Sequence, residues 1–311
     1  MDRENLLLKP GTLWTKLVER SDRAHQCGAL LSIPTEFEFV EQDGVRFMVR
    51  ILANLARKDE AKQAQDRLTS AGDRSFNPFL PYDEDLFVTD ISDTHVCILN
   101  KFNVVDRHLL VITRAFEAQE SLLTLADFVA MWACLAEFDG LVFYNAGKTA
   151  GASQPHKHLQ IVSLPLIPSE PHQIPIAPLL SSAVFQGEIA TIPGLPFVHA
   201  FTKLEPLWAG SPFQAAEATL ACYHRLLKAI SFPKTSAENE LGIQPCPYNL
   251  LATREWMLLI LRSQESFGSI SVNSLGFAGT LLVRDREQMQ VLKACGPMEL
   301  LRQVAVPQSC A

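Results

Sequence analysis

Hydrophobic positions along the chain recur with two periods. A period of three to four predicts a helix over residues 11–27, with Leu13, Leu17 and Val18 on one face. A second helix is predicted after Thr124, where Leu125, Phe128, Val129, Trp132, Leu135 and Phe138 repeat at helical spacing. Thr124 with Asp127 near the third position predicts a capping box, and Gly140 is placed to end the helix. A third helix is expected from Ser211, with Pro212 at its first position and Gln214 completing a capping box, to about residue 230. A last helix is expected over 286–294.

Apolar runs with strand character cover 95–102 and 108–113, separated by the turn-prone Asn103 and Asp106. Residues 141–145 predict a strand, "GKTAGASQ" a loop of small residues, and 156–164 another strand. Residues 248–262 predict a hairpin of two buried strands, and 269–283 a loop and a strand. Residues 45–55 mix apolar and polar positions and lead into Arg57 and Lys58. Residues 77–85 are expected to be irregular, because Pro78 and Pro81 each restrict the preceding residue. Five prolines between 165 and 178 predict a long irregular excursion. Strands outnumber helices and adjoin as hairpins, which favours an α+β fold with an antiparallel sheet.

The 311 residues, 48% hydrophobic and 20% charged, suffice for one large core or two smaller ones, and no internal repeat is present. A net charge of -7 argues against a broad basic face for nucleic acid, but not against a small polyanion held by backbone amides. No apolar run reaches bilayer length, and Asp2, Arg3 and Glu4 at the start do not fit a secretory signal. The seven cysteines are scattered and never spaced CxxC, against a disulfide framework or a cysteine zinc site. A reducing, cytoplasmic setting is expected.

The densest chemistry lies in "GASQPHKHLQIV", residues 151–162. On a strand His156, His158 and Gln160 share one face, while Lys157, Leu159 and Ile161 take the other. Three readings compete. The histidines are satisfied polar residues on a sheet face; they chelate zinc, which needs a third ligand that no HExxH or cysteine cluster supplies; or one is a nucleophile toward phosphorus. The last needs a fixed tautomer and donors for phosphoryl oxygens. Gln160 is placed to donate, Gly147, Gly151 and Ser153 let backbone amides approach an anion, and no carboxylate lies between 147 and 164. His108 opens a strand with nothing nearby to give it chemistry, and Phe128 and Trp132 belong to a core stripe.

"NAGKTAGASQPHKHLQ" resembles the active-site segment of diadenosine tetraphosphate phosphorylases (ATP adenylyltransferases), in the transferase branch of the histidine-triad superfamily. The likeness extends over "ILNKFNVVDRHLLVITRAF", "PYNLLATREWMLLILRS" and "VNSLGFAGTLLVR". It implies a histidine-triad-like α+β fold, an antiparallel sheet with flanking helices, as a single domain over 1–311 with a catalytic core of about 45–284. It implies that His158 attacks the α-phosphorus, that the His156 carbonyl holds its other nitrogen while the His156 side chain lines the phosphate pocket, and that Gln160 binds the α-phosphoryl oxygen. Asn145 and Gly151, Ala152, Ser153 and Gln154 match the phosphate loop, Leu99 and Asn100 residues beside adenosine, and Lys58 a basic residue that reaches the polyphosphate. Asn273, Ser274, Thr280 and Arg284 match a C-terminal substrate-binding stretch, but the family pattern has methionine and lysine at the last two. Lys58 and Arg284 also fit plain surface charges, and Asn145 a turn residue.

The implied activity is reversible phosphorolysis of diadenosine tetraphosphate to ATP and ADP through an adenylyl-histidine. Nucleotides and inorganic phosphate are the implied partners, with a divalent cation such as magnesium accompanying the polyphosphate and no tightly bound cofactor. Sulfate or a sugar phosphate as acceptor, and a non-catalytic dinucleotide sensor, are the alternatives. The oligomeric state is not read from these residues.

Overall fold

The strand-forming runs pair into a ten-stranded sheet, and the three longest helices cover one of its faces. The structure is a computed structural model and describes residues 5–52, 77, 79–168, 173–206, 210–230 and 246–308. In chain order the strands are β1 (Thr35–Gln42), β2 (Val45–Leu52), β3 (Phe87–Asp90), β4 (His95–Leu99), β5 (Leu109–Thr113), β6 (Gly140–Ala146), β7 (His158–Ser163), β8 (Val184–Gln186), β9 (Ile189–Thr191), β10 (His199–Lys203), β11 (Tyr248–Ala252), β12 (Trp256–Leu261), β13 (Ser266–Phe267), β14 (Ile270–Ser271) and β15 (Thr280–Val283). The helices are α1 (Leu13–Cys27), α2 (Leu125–Leu135), α3 (Ala177–Leu180), α4 (Pro212–Ala229), α5 (Ser274–Phe277), α6 (Arg286–Cys295) and α7 (Pro297–Val304). The large sheet runs β3-β4-β5-β7-β6-β11-β12-β10-β9-β8, and a second sheet runs β1-β2-β15. Every neighbouring pair in the large sheet is antiparallel.

Leu159 and Ile161 fix the register of the central strand β7. Both are buried with residues of α1, α2 and α4 on the helical face. Each contributes about 2 kcal/mol by leaving water. A slip of one residue would expose them and drive His158 and Gln160 into the apolar layer, so the slipped pairing is strongly disfavoured. The opposite face carries two separate apolar clusters. One joins Leu141, Phe143, Leu251 and Ile260 to β2, β15, α6 and α7. The other gathers Phe79 over Val96, Ile98, Leu110 and Ile112. His158 lies opposite Ile112, Gln160 opposite Leu110 and Phe143, and Asn145 opposite Asn249. Directly opposed residues share a face, so a polar strip crosses the sheet between the two clusters.

Helix α2 starts as its sequence predicts: the Thr124 hydroxyl accepts from the Asp127 amide, and Asp127 returns the bond. Trp132 is fully buried, its indole donating to Thr219 Oγ1 of α4 at 2.8 Å. The helix ends at Leu135, however, and Gly140 opens β6 instead of closing α2. A Cβ at residue 140 would stand 3.0 Å from Ile161 Cγ2 and 3.2 Å from the Val162 carbonyl, so close strand packing is what glycine answers there. The capping box expected at Ser211 does not form. The strand predicted from 156 begins at His158, with His156 in an isolated bridge to Ala118. Strands β1–β3, β8–β10, β13 and β14 and helices α3, α5 and α7 add to the predicted set. Among the described residues no helix is long and apolar enough to cross a membrane.

Candidate active site

His158 Nδ1 lies 2.8 Å from the backbone carbonyl of His156. A carbonyl only accepts, so Nδ1 carries the proton and Nε2 the lone pair. Among the described residues no hydrogen bond engages Nε2. The ring is 4% exposed, and the Phe79 ring meets it edge-on at 5.4 Å. Burial pushes its pKa down to about 4, against the opposing pull of the His156 carbonyl, so the ring is neutral near neutrality.

The His156 side chain is otherwise occupied. Asn77 Nδ2 lies 2.8 Å from its Nδ1, and its Nε2 lies 2.9 Å from the Thr113 carbonyl and 2.8 Å from Thr113 Oγ1. With both nitrogens engaged and the ring fully buried, it has no free donor for the phosphate pocket the sequence assigned to it. The His156 carbonyl faces His158 Nδ1, and the bonds to Asn77 and Thr113 hold the imidazole that flanks it.

The pairing of β6 with β7 runs from Gly140 opposite Ser163 to Phe143 opposite Gln160. Continued, it would set Asn145 against His158. The Gln119 side chain stands between them instead. Its Oε1 accepts from the His158 amide at 2.8 Å, and its Nε2 donates to the carbonyls of Asn145 at 2.9 Å and His158 at 3.3 Å. One amide thus replaces the ladder bonds and spreads the strands while leaving their polar groups satisfied.

Beside this opening lies the 147–155 loop. Gly151 adopts φ +91°, and a Cβ there would meet the Val272 carbonyl at 2.6 Å and Asn273 Cα at 2.9 Å. Only glycine allows this approach. The Gly151 and Ala152 amides bond back to the carbonyls of Lys148 and Gly147. The amides of Ser153 and Gln154 have no backbone partner among the described residues. Asn145 Oδ1 accepts from Asn249 Nδ2, the Ser274 amide and the Ser274 hydroxyl at 2.7–2.9 Å. Asn249 also holds the Ala150 carbonyl, and its own Oδ1 accepts from Arg262 at 2.6 Å. Arg262, 2% exposed, further donates to the carbonyls of Ala150, Val272, Gln264, Glu265 and Val304. Burial lowers its pKa to about 10, so the guanidinium stays charged.

On the other face, Lys157 Nζ sits 2.6 Å from Asp127 Oδ2, 3.0 Å from Glu117 and 3.1 Å from the Leu122 carbonyl. His95 Nε2 lies 3.2 Å from Asp127 Oδ1. Burial pushes the Asp127 carboxyl up, but the His95 hydrogen bond and the Lys157 ammonium outweigh it and hold the acid below the usual carboxylate range. The capping-box acid of α2 thereby pins the residue between the two histidines, just ahead of β7.

Of the remaining predicted residues, Gln160 lies beside His158 on the same face, its Oε1 3.0 Å from His108 Nε2. Asn100 bonds His108 from the adjoining strand end. Leu99 points the opposite way, into the helical core, so only its backbone can meet a nucleotide. Ser274 spends its hydroxyl on Asn145 and the Tyr144 carbonyl, while Asn273 caps α5 through Oδ1. Thr280 is buried, its hydroxyl without a hydrogen-bond partner among the described residues. Arg284 is exposed at the end of β15. Lys58 lies outside the described residues. No group of three or more His, Cys, Asp or Glu among the described residues is arranged to hold a metal. Gln119, Asn249 and Arg262 escaped the sequence reading, which weighs His108 and gives it no chemistry. Asn249 alone gave a signal, an amide within the apolar run "YNLLA".

Two family descriptions match the chain: "Ap4A phosphorylase N-terminal domain" over residues 3–182 and "ATP adenylyltransferase C-terminal domain" over residues 193–307. Diadenosine 5',5'''-P1,P4-tetraphosphate phosphorylase 2 of Saccharomyces cerevisiae is 30% identical over 279 residues, 81% of this chain and 80% of the relative. The crystal structure of the yeast Ap4A phosphorylase Apa2 superposes with a TM-score of 0.78 at 25% identity, over 98% of this chain and all of that one. Its complex with AMP gives a TM-score of 0.75 at 26% identity, over 97% of this chain and 100% of that one.

Proposed function

The chain belongs to the Ap4A phosphorylase (ATP adenylyltransferase) family, and from that premise we propose that it converts diadenosine tetraphosphate and inorganic phosphate into ATP and ADP through an adenylyl group carried by His158. One observation carries the reading: a neutral imidazole whose Nδ1 proton is held by the His156 carbonyl and whose Nε2 is left unengaged.

His158 Nε2 attacks the α-phosphorus, the bond from that phosphorus to its bridging oxygen breaks, and ATP leaves. The ring, bonded to phosphorus at Nε2 and to hydrogen at Nδ1, is then a cation. The His156 carbonyl, 2.8 Å away, faces that charge as it develops and favours the covalent state. Inorganic phosphate next attacks the α-phosphorus from the side ATP vacated, the nitrogen–phosphorus bond breaks, and ADP departs with the imidazole restored. The Gln160 amide and the free amides of Ser153 and Gln154 serve the phosphoryl oxygens. A divalent cation, magnesium in this reading, enters on the polyphosphate as part of the substrate. The setting we assign is the reducing cytoplasm, on cysteine usage.

The test is incubation with adenosine-labelled diadenosine tetraphosphate, first without phosphate and then with it. The native enzyme retains protein-bound AMP in the first step and releases labelled ADP in the second. His158→Ala retains none and loses turnover by several orders of magnitude. Normal phosphorolysis by His158→Ala overturns the proposal, and so does tight binding without product. Sulfate or a sugar phosphate in place of phosphate examines the acceptor in the same assay.

A further inference from the structure

We infer that His108 is a positioning residue for this reaction: through a one-way chain of hydrogen bonds it sets the Gln160 amide with its N–H group, not its oxygen, toward the substrate. The inference rests on the proposed role of Gln160 at the α-phosphoryl oxygen.

The chain starts from a donor whose identity is beyond ambiguity. The backbone amide of Phe102 donates to Asn100 Oδ1 at 3.3 Å. That fixes the Asn100 side chain with its amide nitrogen outward, and Nδ2 lies 3.3 Å from His108 Nδ1. A nitrogen facing an N–H must accept, so His108 Nδ1 bears the lone pair and the ring proton resides on Nε2. Nε2 lies 3.0 Å from Gln160 Oε1. The glutamine oxygen is thereby occupied, and its amide nitrogen is turned away from His108.

The relay works only with a neutral ring, since a protonated His108 would set two N–H groups against each other at Asn100. The surroundings keep it neutral. His108 is buried against Phe143, ring centres 5.6 Å apart, and burial pushes its pKa down to about 4. Asn100, His108, Gln160 and His158 all stand on the face opposite α1, α2 and α4. The direction matters because glutamine is a two-ended group. A flipped amide would present an oxygen to the anionic phosphoryl oxygen, replacing attraction with repulsion.

The test is a double-mutant cycle on the single-turnover rate of protein adenylylation, with binding of the dinucleotide measured in parallel. Gln160→Ala slows adenylylation about a hundredfold, as for loss of one oxyanion donor. His108→Phe slows it about tenfold, as for loss of one aligning hydrogen bond. In the Gln160→Ala background His108→Phe adds less than about twofold, because no amide remains to be aligned. His108→Gln, whose amide accepts from Asn100 and donates to Gln160, recovers most of the rate and gives a reading even if His108→Phe does not fold. Equal slowing by His108→Phe in both backgrounds overturns the inference, as does a normal rate in His108→Phe or a His108→Gln variant as slow as His108→Phe. A Gln160→Ala variant as fast as the parent overturns the reading of Gln160 and the inference with it, a result distinct from the others.

Discussion

Acidity should leave the nucleophile untouched where an ordinary histidine would already be lost. The perturbation is a shift from about pH 7.5 to about pH 5.5. A histidine at its usual value of about 6.5 would be neutral in roughly one molecule in eleven at the lower pH. With burial holding His158 at about 4, nearly every ring stays neutral. Adenylylation from diadenosine tetraphosphate, measured in single turnover without inorganic phosphate, should therefore fall by less than about twofold, against the roughly tenfold of an ordinary ring. Leaving phosphate out keeps its own titration from entering the rate.

The same shift has a consequence for stability, and it bounds the assay. Between about 6.5 and 4 the unfolded chain binds a proton at residue 158 that the folded chain excludes. The state binding more protons gains on acidification, so stability is complete above about 6.5 and is lost as pH falls toward 4. His108 is depressed to the same value. Each ring removes about 3 kcal/mol by the acid end of the window and about half of that at pH 5.5. Near-ultraviolet circular dichroism at about pH 5.5 establishes that the protein remains folded there. A tenfold fall in adenylylation by protein that is still folded would refute the reasoning, because it would mean the ring titrates as if in water.

Two further substitutions probe the scaffold. Gly151→Ala places a Cβ against the Val272 carbonyl at a positive φ; it should cost more than about 1 kcal/mol of stability and raise KM for the dinucleotide about tenfold or more, and an unchanged thermal midpoint with unchanged KM would count against the close approach. Asp127→Asn removes the buried negative charge and leaves the Lys157 ammonium with Glu117 as its one carboxylate partner among the described residues, and should destabilise by about 3 kcal/mol or more; a denaturant midpoint equal to the parent's would show that the pair does not anchor residue 157.

Local chemistry was legible wherever one element contained it. The Thr124–Asp127 box, the 248–262 hairpin and the alternation that separates Leu159 from His158 are set by neighbours in sequence. Gly140 misled because a helix stop and a tight strand contact both select glycine, and the deciding atoms belong to Ile161 and Val162. Strand β1 is mostly half-exposed and β8 wholly exposed, so neither shows the apolar contrast that betrays a strand. The site divides the same way. His156, His158 and Gln160 are read from one strand, while the groups that hold them come from afar: Thr113 lies 43 positions from His156, Gln119 lies 39 from His158, and His108 lies 52 from Gln160. No spacing rule reaches that distance.

An acidic chain that handles a polyanion must keep its carboxylates from the reacting face, and the sheet does this by alternation. The buried acid Asp127 meets Lys157 on the helical face, where the ammonium and His95 compensate its charge. Residues 156, 158 and 160 are neutral and point the other way, and no carboxylate lies between 147 and 164. Beneath the loop Arg262 brings a full charge that no carboxylate hydrogen-bonds among the described residues; backbone carbonyls and Asn249 hold it. Glu265 acts on this cation only through space, so it keeps more of its field than one in a direct salt bridge, and burial reduces screening by solvent. In the proposed reaction the polar strip receives phosphate with a buried guanidinium beneath the loop, oriented amides and an uncharged imidazole, although the formal charge of the whole chain is -7.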